Sequence, residues 1–280
     1  MNLKKQALEQ VGNIYDSVVG NGDITTEIMF PYPRHTVAEV STNLGTPSFV
    51  FDFLEEAVKC ADESILIRKF YEGDLIQSGE KVVQLEGNGR AILTAWQVAA
   101  PLMDLAVAVM AKVGDAQEQL QPARIDATHR LDLDNSTDKI IKYVLEQSGA
   151  ALFGSRLDEI IHITLEHGRW VGSAKEAAEK AIEEAGDIRK LIKIIVDMDS
   201  IEEAASLLDM QIDYVRCRGF SAENIRSMGK TTKGWLHMII DESIPLNEAK
   251  TLRDAGVRLY ALDFSLTKIN ESTFNINFTK

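Results

Sequence analysis

The second half of this chain predicts an α/β barrel of parallel strands, and two observations carry that prediction. Between Arg124 and Asp263, short β-branched runs alternate with amphipathic helical runs, and each hands over to the next within a few residues. Strands that repeat in one direction need helical crossovers, and right-handed crossovers curl such a sheet into a barrel. Six runs read as buried strands: Arg124–Thr128, Glu159–Thr164, Leu191–Met198, Tyr214–Arg218, Leu236–Asp241 and Arg258–Asp263. Ser173–Ile182, Ser200–Leu208 and Pro245–Leu252 space their apolar residues three and four apart and read as the helices between them. On such a scaffold the chemistry belongs where strands end and loops begin.

The first half is more mixed. Leu3–Ser17 is an amphipathic helix with Leu8, Val11, Ile14 and Tyr15 on one face, and Gly22-Asp23-Ile24-Thr25-Thr26 is a turn that breaks it. His35–Thr42 alternates as a half-buried strand, and Phe49–Cys60 is a helix with Val50, Phe53, Leu54 and Ala57 inward. Ile65–Tyr71 and Lys81–Glu86 form a hairpin region, with turns at Gly73-Asp74 and Ser78-Gly79. Ala91–Lys112 is apolar nearly all round and is expected to be a buried helix, followed by a polar linker over Asp115–Pro122. The chain closes on a strand, Ser272–Phe278, whose Phe274, Ile276 and Phe278 share a face.

Composition narrows the class. Of the 280 residues, 45% are hydrophobic and 26% charged, proportions ordinary for a soluble globular enzyme or enzyme-like protein. A net charge of −13 without a compensating basic run argues against nucleic acid and against an anionic membrane surface. Two cysteines, Cys60 and Cys217, are too few for a disulfide framework and suit a reducing compartment. No leader is evident and no segment reads as a bilayer span, so the expectation is a cytoplasmic protein.

Several motifs, in order, resemble the quinolinate phosphoribosyltransferase (nicotinate-nucleotide pyrophosphorylase) family, including its ModD-like paralogues. They are Gly22-Asp23-Ile24-Thr25-Thr26, Gly73–Glu80 running into Glu86–Ala95, Ala123–Thr128, Asp197–Ala204 and Phe264–Phe278. The resemblance implies an N-terminal α/β sandwich that dimerises (1–116), an open parallel α/β barrel (117–265), and a C-terminal strand returning to the first domain (266–280). It further implies a homodimer and transfer of phosphoribose from phosphoribosyl pyrophosphate to a pyridine dicarboxylate, with Mg²⁺ needed only if that reaction persists here.

Position by position, the resemblance places a depleted site on this chain. The family's Glu-Arg after Leu-Thr-Ala falls on Trp96-Gln97, and its Thr-Arg-Lys-Thr on Thr128-His129-Arg130-Leu131. Its Asn-His-Arg falls on Leu152-Phe153-Gly154, with Arg156 two residues beyond, and its Ile-Lys-Asp-Asn-His on Ile163-Thr164-Leu165-Glu166-His167. Asp197 takes the place of its catalytic glutamate, and Arg218 that of its Leu-Asp-Asn aspartate. The Ser-Gly-Gly phosphate turn becomes Asp241-Glu242-Ser243, and a final glycine becomes Asp263. Like charges a few ångströms apart cost about 1–4 kcal/mol, so acids at those turns oppose a phosphate ligand.

Taken on their own, the strand-end residues are His129, Arg130, His162, Thr164, Asp197, Arg216, Arg218, Asp241, Glu242 and Asp263. They predict a polar mouth of mixed charge that suits a zwitterionic or cationic small molecule. His129 and Asp197 are the candidate catalytic pair, with His162 a second candidate base. Thr128, Arg130, His162, Thr164, Arg218, Asp241 and Asp263 are the candidate ligand-binding residues. A metal site lacks any close His-x-His or Glu-x-x-His spacing to support it. The plainer alternative is a set of internal ion pairs, for example Arg218 with Asp197 or Asp241. Cys217, between Arg216 and Arg218, would have its thiolate favoured by both cations, but a cysteine on a strand is more often a packing residue than a nucleophile. His167 is expected to cap its strand, and His35 and His237 to lie outside the chemistry.

Overall fold

The structure is a computed structural model that describes residues 2–129, 136–152, 159–264 and 272–279. Two compact units form: Met1–Ala111 with Asn135–Val144 and Leu266–Lys280, and Lys112–Asp134 with Leu145–Ser265. The division falls at Lys112, and a short excursion, Asn135–Val144, belongs to the first unit.

The first unit begins with helix α1 (Leu3–Val19), capped by Asn2, whose side chain accepts the Lys5 N–H at 3.0 Å. The motif expected to be a turn instead starts a helix, α2 (Ile24–Met29): Asp23 accepts the Thr26 N–H at 3.0 Å and caps it. Strands β1 (His35–Thr42) and β2 (Thr46–Pro47), helix α3 (Asp52–Ala61), strands β3 (Leu66–Lys69), β4 (Leu75–Ile76) and β5 (Lys81–Asn88) follow. An antiparallel sheet runs β12-β1-β5-β3, where β12 (Phe274–Thr279) is the closing strand, paired with β1 from Val37↔Thr279 to Thr42↔Phe274. Phe274 is buried edge-on against Phe51 at 5.4 Å, whereas Phe278 on the same face is 39% exposed.

Helix α4 (Gly89–Leu120) runs eight residues beyond the expected end. Asp115–Leu120 is not a linker, because Ala, Gln and Glu are good helix formers and Ala116 and Leu120 are buried. An 18-residue window of α4 has a mean hydropathy of 1.6, so by length and composition it meets the requirement for a bilayer span, contrary to the expectation that no segment does. Half of that window is buried inside the protein, and the buried Asp104 on α4 accepts the Thr273 N–H at 2.7 Å.

In the second unit, six parallel strands form an open α/β barrel in the order β6-β11-β10-β9-β8-β7. They are β6 (Asp126–His129), β7 (Ile161–Ile163), β8 (Ile194–Met198), β9 (Tyr214–Cys217), β10 (Met238–Asp241) and β11 (Val257–Leu262). Helix α5 (Asp138–Gln147) lies between β6 and β7 in the chain, with its residues to Val144 in the first unit, and the crossovers of the second unit are α6 (Leu165–Val171), α7 (Ala174–Ala185), α8 (Ala222–Thr232) and α9 (Leu246–Ala249). Between β8 and β9 the expected helix is only a 3₁₀ turn, Ala204–Leu207. The Ser200 hydroxyl bonds Glu202 and the Ser206 hydroxyl bonds the Glu203 carbonyl, and such local side-chain bonds compete with a regular helix. Likewise α9 makes a single turn before tightening into 3₁₀ geometry over Lys250–Ala255. Ile195, Ile239, Leu259 and Ala261 pack together with Ala151, Ile160 and Tyr214 as one buried cluster on the sheet.

Candidate functional site

Side chains two residues apart on a strand share a face, so each strand of that cluster carries a second residue one step nearer its C-terminal end. From Ile160, Ile195, Tyr214, Ile239 and Ala261 the step leads to His162, Asp197, Arg216, Asp241 and Asp263. This is the polar mouth of the barrel.

Its centre is Asp197, 2% exposed at the end of β8. Arg216, in register with it on β9, donates Nε to Oδ1 at 2.7 Å and Nη2 to Oδ2 at 2.6 Å, a side-on bidentate pair. His162 Nε2 lies 2.8 Å from Oδ1. Burial by itself would raise the Asp197 carboxyl, but the bonds from His162 and Arg216, and the Arg216 charge, hold it below the usual carboxylate range. Arg216 takes the role expected of Arg218, which is exposed just past β9 and makes no ion pair among the described residues.

Beside this centre a cleft of about 370 Å³ opens at the ends of β7 and β8, lined among others by Thr164, Arg169, Ser173, Asp197, Asp199 and Glu203. Thr164 caps α6, and its N–H donates to His167 Nδ1 at 3.1 Å, so His167 serves the start of this helix. Arg169 reaches Asp199 at 3.5 Å, and Glu203 accepts the Ala174 N–H at 3.4 Å.

The far side of the mouth is built differently. Asp241 Oδ1 accepts the Ser243 N–H at 3.0 Å, closing the turn after β10 on itself. Glu242 pairs with Lys112 at 2.7 Å, and the same ammonium donates to the Asp263 carbonyl at 2.6 Å. Tyr260, whose hydroxyl donates to the Ile244 carbonyl at 2.8 Å, is pushed up to about 12 by burial and then by Glu242 and Asp241.

The family model for the quinolinate phosphoribosyl transferase C-terminal domain matches residues 111–273, more than half of the chain. The chain belongs to the quinolinate phosphoribosyl transferase family. It is 21% identical over 267 residues to the probable carboxylating nicotinate-nucleotide pyrophosphorylase of Bacillus subtilis, covering 93% of this chain and 89% of that one. The solved structure of NadC from Streptococcus pyogenes superposes with a TM-score of 0.76 at 17% identity, over 99% of this chain and 98% of that one. The nicotinate-nucleotide pyrophosphorylase from Francisella tularensis gives 0.77 at 17% identity, over 99% and 97%. At those identities the structures share the fold.

Within this quinolinate phosphoribosyl transferase family member, the remaining expected residues fall as follows. Thr128 is fully buried on β6, and its hydroxyl donates to the Ala151 carbonyl at 2.8 Å, tying the sheet to the short bridge at Ala151. His129 ends β6 in register with Leu262. Arg130, Leu131, Phe153, Gly154 and Arg156 lie outside the described residues. Cys217 is a packing residue: buried, it is pushed up to about 12 by desolvation and then by Asp241 and Asp197, so the thiolate that its two arginine neighbours suggested is disfavoured. His237 sits ahead of β10, away from the mouth end, with its ring 6.1 Å from that of Tyr214. His35 is on the first unit's sheet, 3.8 Å from Glu86.

Arg216 is among the strand-end residues of the sequence but carries no expected role there, although the alternation that places Asp197 inward also places Arg216. Lys112, Arg169, Ser173, Asp199 and Glu203 are not among the expected site residues. Asp199 and Glu203 lie within the Asp197–Ala204 motif, just past β8, whereas Lys112, Arg169 and Ser173 come from α4, α6 and the start of α7, where no local pattern marks them.

Proposed function

We propose that this chain is a repurposed member of the family whose barrel mouth binds a cationic or zwitterionic small molecule in place of phosphoribosyl pyrophosphate and quinolinate. The observation that carries the reading is the turn after β10. Its Ser243 N–H, of the kind that would meet a ligand phosphate, is taken by Asp241 of the same turn, and a second carboxylate, Glu242, stands beside it. A polyanionic donor would have to displace Asp241 and meet its charge, a repulsion of about 1–4 kcal/mol, while the charge of Glu242 is offset by Lys112. In this reading Asp199 and Glu203 meet the ligand's positive group, Asp197 and His162 form the back of the site, and the protein works in the cytoplasm as a homodimer.

Titration calorimetry with phosphoribosyl pyrophosphate and Mg²⁺ tests it: no saturable heat is expected, and micromolar uptake would overturn it. In parallel, a thermal-shift screen of small amines and amino acids should yield saturable stabilisation that Asp199→Asn/Glu203→Gln removes. Light scattering checks the dimer.

One observation favours the family reaction instead: Lys112 brings a cation to Glu242 and the Asp263 carbonyl, at the side of the mouth where a phosphate would sit. The described residues do not fit a protein-held Mg²⁺. No three His, Cys, Asp or Glu among them group around an ion, and both Asp197 oxygens are occupied. Release of mononucleotide and CO₂ from quinolinate and phosphoribosyl pyrophosphate would decide for that reaction.

A further inference from the structure

The neighbours of His162 define what its ring can offer. Asp197 is an ionised carboxylate, hence an acceptor only, and two parallel donors from Arg216 fix its plane. The 2.8 Å contact between His162 Nε2 and Asp197 Oδ1 therefore needs the hydrogen on Nε2. A neutral imidazole with Nε2–H has its lone pair on Nδ1. Among the described residues Nδ1 has no hydrogen-bond partner, and the His162 side chain as a whole is 16% exposed.

We propose that Arg216 and Asp197 are positioning residues that lock His162 in its Nε2–H tautomer, leaving Nδ1 as the open acceptor of the barrel mouth. The group taken there is then a hydrogen-bond donor, such as an amine. This ligand assignment rests on the small-molecule reading of the mouth, whereas the tautomer lock belongs to the free protein. Arg216 matters through its fork. A lysine would neutralise Asp197 without fixing the carboxylate plane.

Nitrogen-15 spectra of ring-labelled histidine, assigned with His162→Gln and recorded well above the ordinary imidazole titration, report the tautomer directly. The wild-type protein should hold Nε2–H over Nδ1–H by about tenfold or more, the ratio a hydrogen bond to a charged group supports. Asp197→Asn should lose that preference. Arg216→Met should weaken it and Arg216→Lys restore it only in part. A wild-type ring that is mixed or Nδ1–H, or a folded Asp197→Asn protein with an unchanged ratio, overturns the lock. If Arg216→Met does not fold, the wild-type and Asp197→Asn spectra still decide. Titration with ethanolamine should move the Nδ1 resonance saturably where acetate does not. A locked ring that no amine moves overturns the ligand assignment and counts against the small-molecule reading, while leaving the lock in place.

Discussion

Two aspartates, Asp23 in the first unit and Asp197 in the second, are both held below the usual carboxylate range, by different means. Asp23 is half-exposed and gathers neutral donors: the Thr26 hydroxyl at 2.5 Å, the Thr26 N–H at 3.0 Å, Thr94 at 3.3 Å and Gln97 at 2.7 Å. Asp197 is buried and relies on a guanidinium and an imidazole. The difference teaches how burial changes the stakes. Water can replace a lost donor at Asp23, but nothing replaces the counter-charge at Asp197.

That contrast breaks most sharply at Arg216. Arg216→Met should destabilise the protein by about 3–5 kcal/mol in chemical denaturation, because it strands a buried carboxylate. The double substitution Asp197→Leu/Arg216→Met should recover most of the loss, since replacing both partners with apolar groups is often neutral. A double variant as unstable as the single would mean the pair is not the cause.

Acid comes next. The folded-state pKa of Asp197 lies below its unfolded value, about 3.9, so the folded state favours the ionised form. Its contribution is complete above the unfolded value and is lost as pH falls through the lower folded one. Asp197→Asn should therefore flatten the decline of the urea midpoint on the acid side of about pH 4 relative to its neutral-pH value. Asp23 shifts in the same direction, and Asp23→Ala should cost about 1 kcal/mol at neutral pH as a lost helix cap. The smallest effect belongs to the partly exposed Lys112–Glu242 pair: Lys112→Met should change stability by about 0–1 kcal/mol, read by thermal unfolding.

Much of the architecture was legible because it depends on period and composition. The six strand runs of the barrel, the β1 strand with its expected bounds, and the amphipathic α1 all follow from the spacing of apolar residues. Boundaries failed where a side chain intervened: Asp23 turned a break into a cap, and Ser200 and Ser206 reduced a helix to a 3₁₀ turn. Good helix formers carried α4 through a stretch that polarity alone marked as a linker.

The candidate site was less legible. Neighbouring charges in sequence suggested that Arg216 and Arg218 would act together on Cys217 and that Arg218 would face the acids. Alternation along β9 and the end of the strand separated all three: Arg216 to the mouth, Cys217 to the buried opposite face, Arg218 into solvent.

By itself, the order of apolar and polar residues determined that this chain builds parallel strands with helical crossovers, and that charged residues crowd the strand ends. Periodicity is a property of the chain alone. Which charge meets which was decided only in the tertiary structure, because strand register aligns Asp197 with Arg216, and α4 delivers Lys112 from far earlier in the chain to Glu242. Pairing energies depend on distance and burial, and neither exists until the strands are in place.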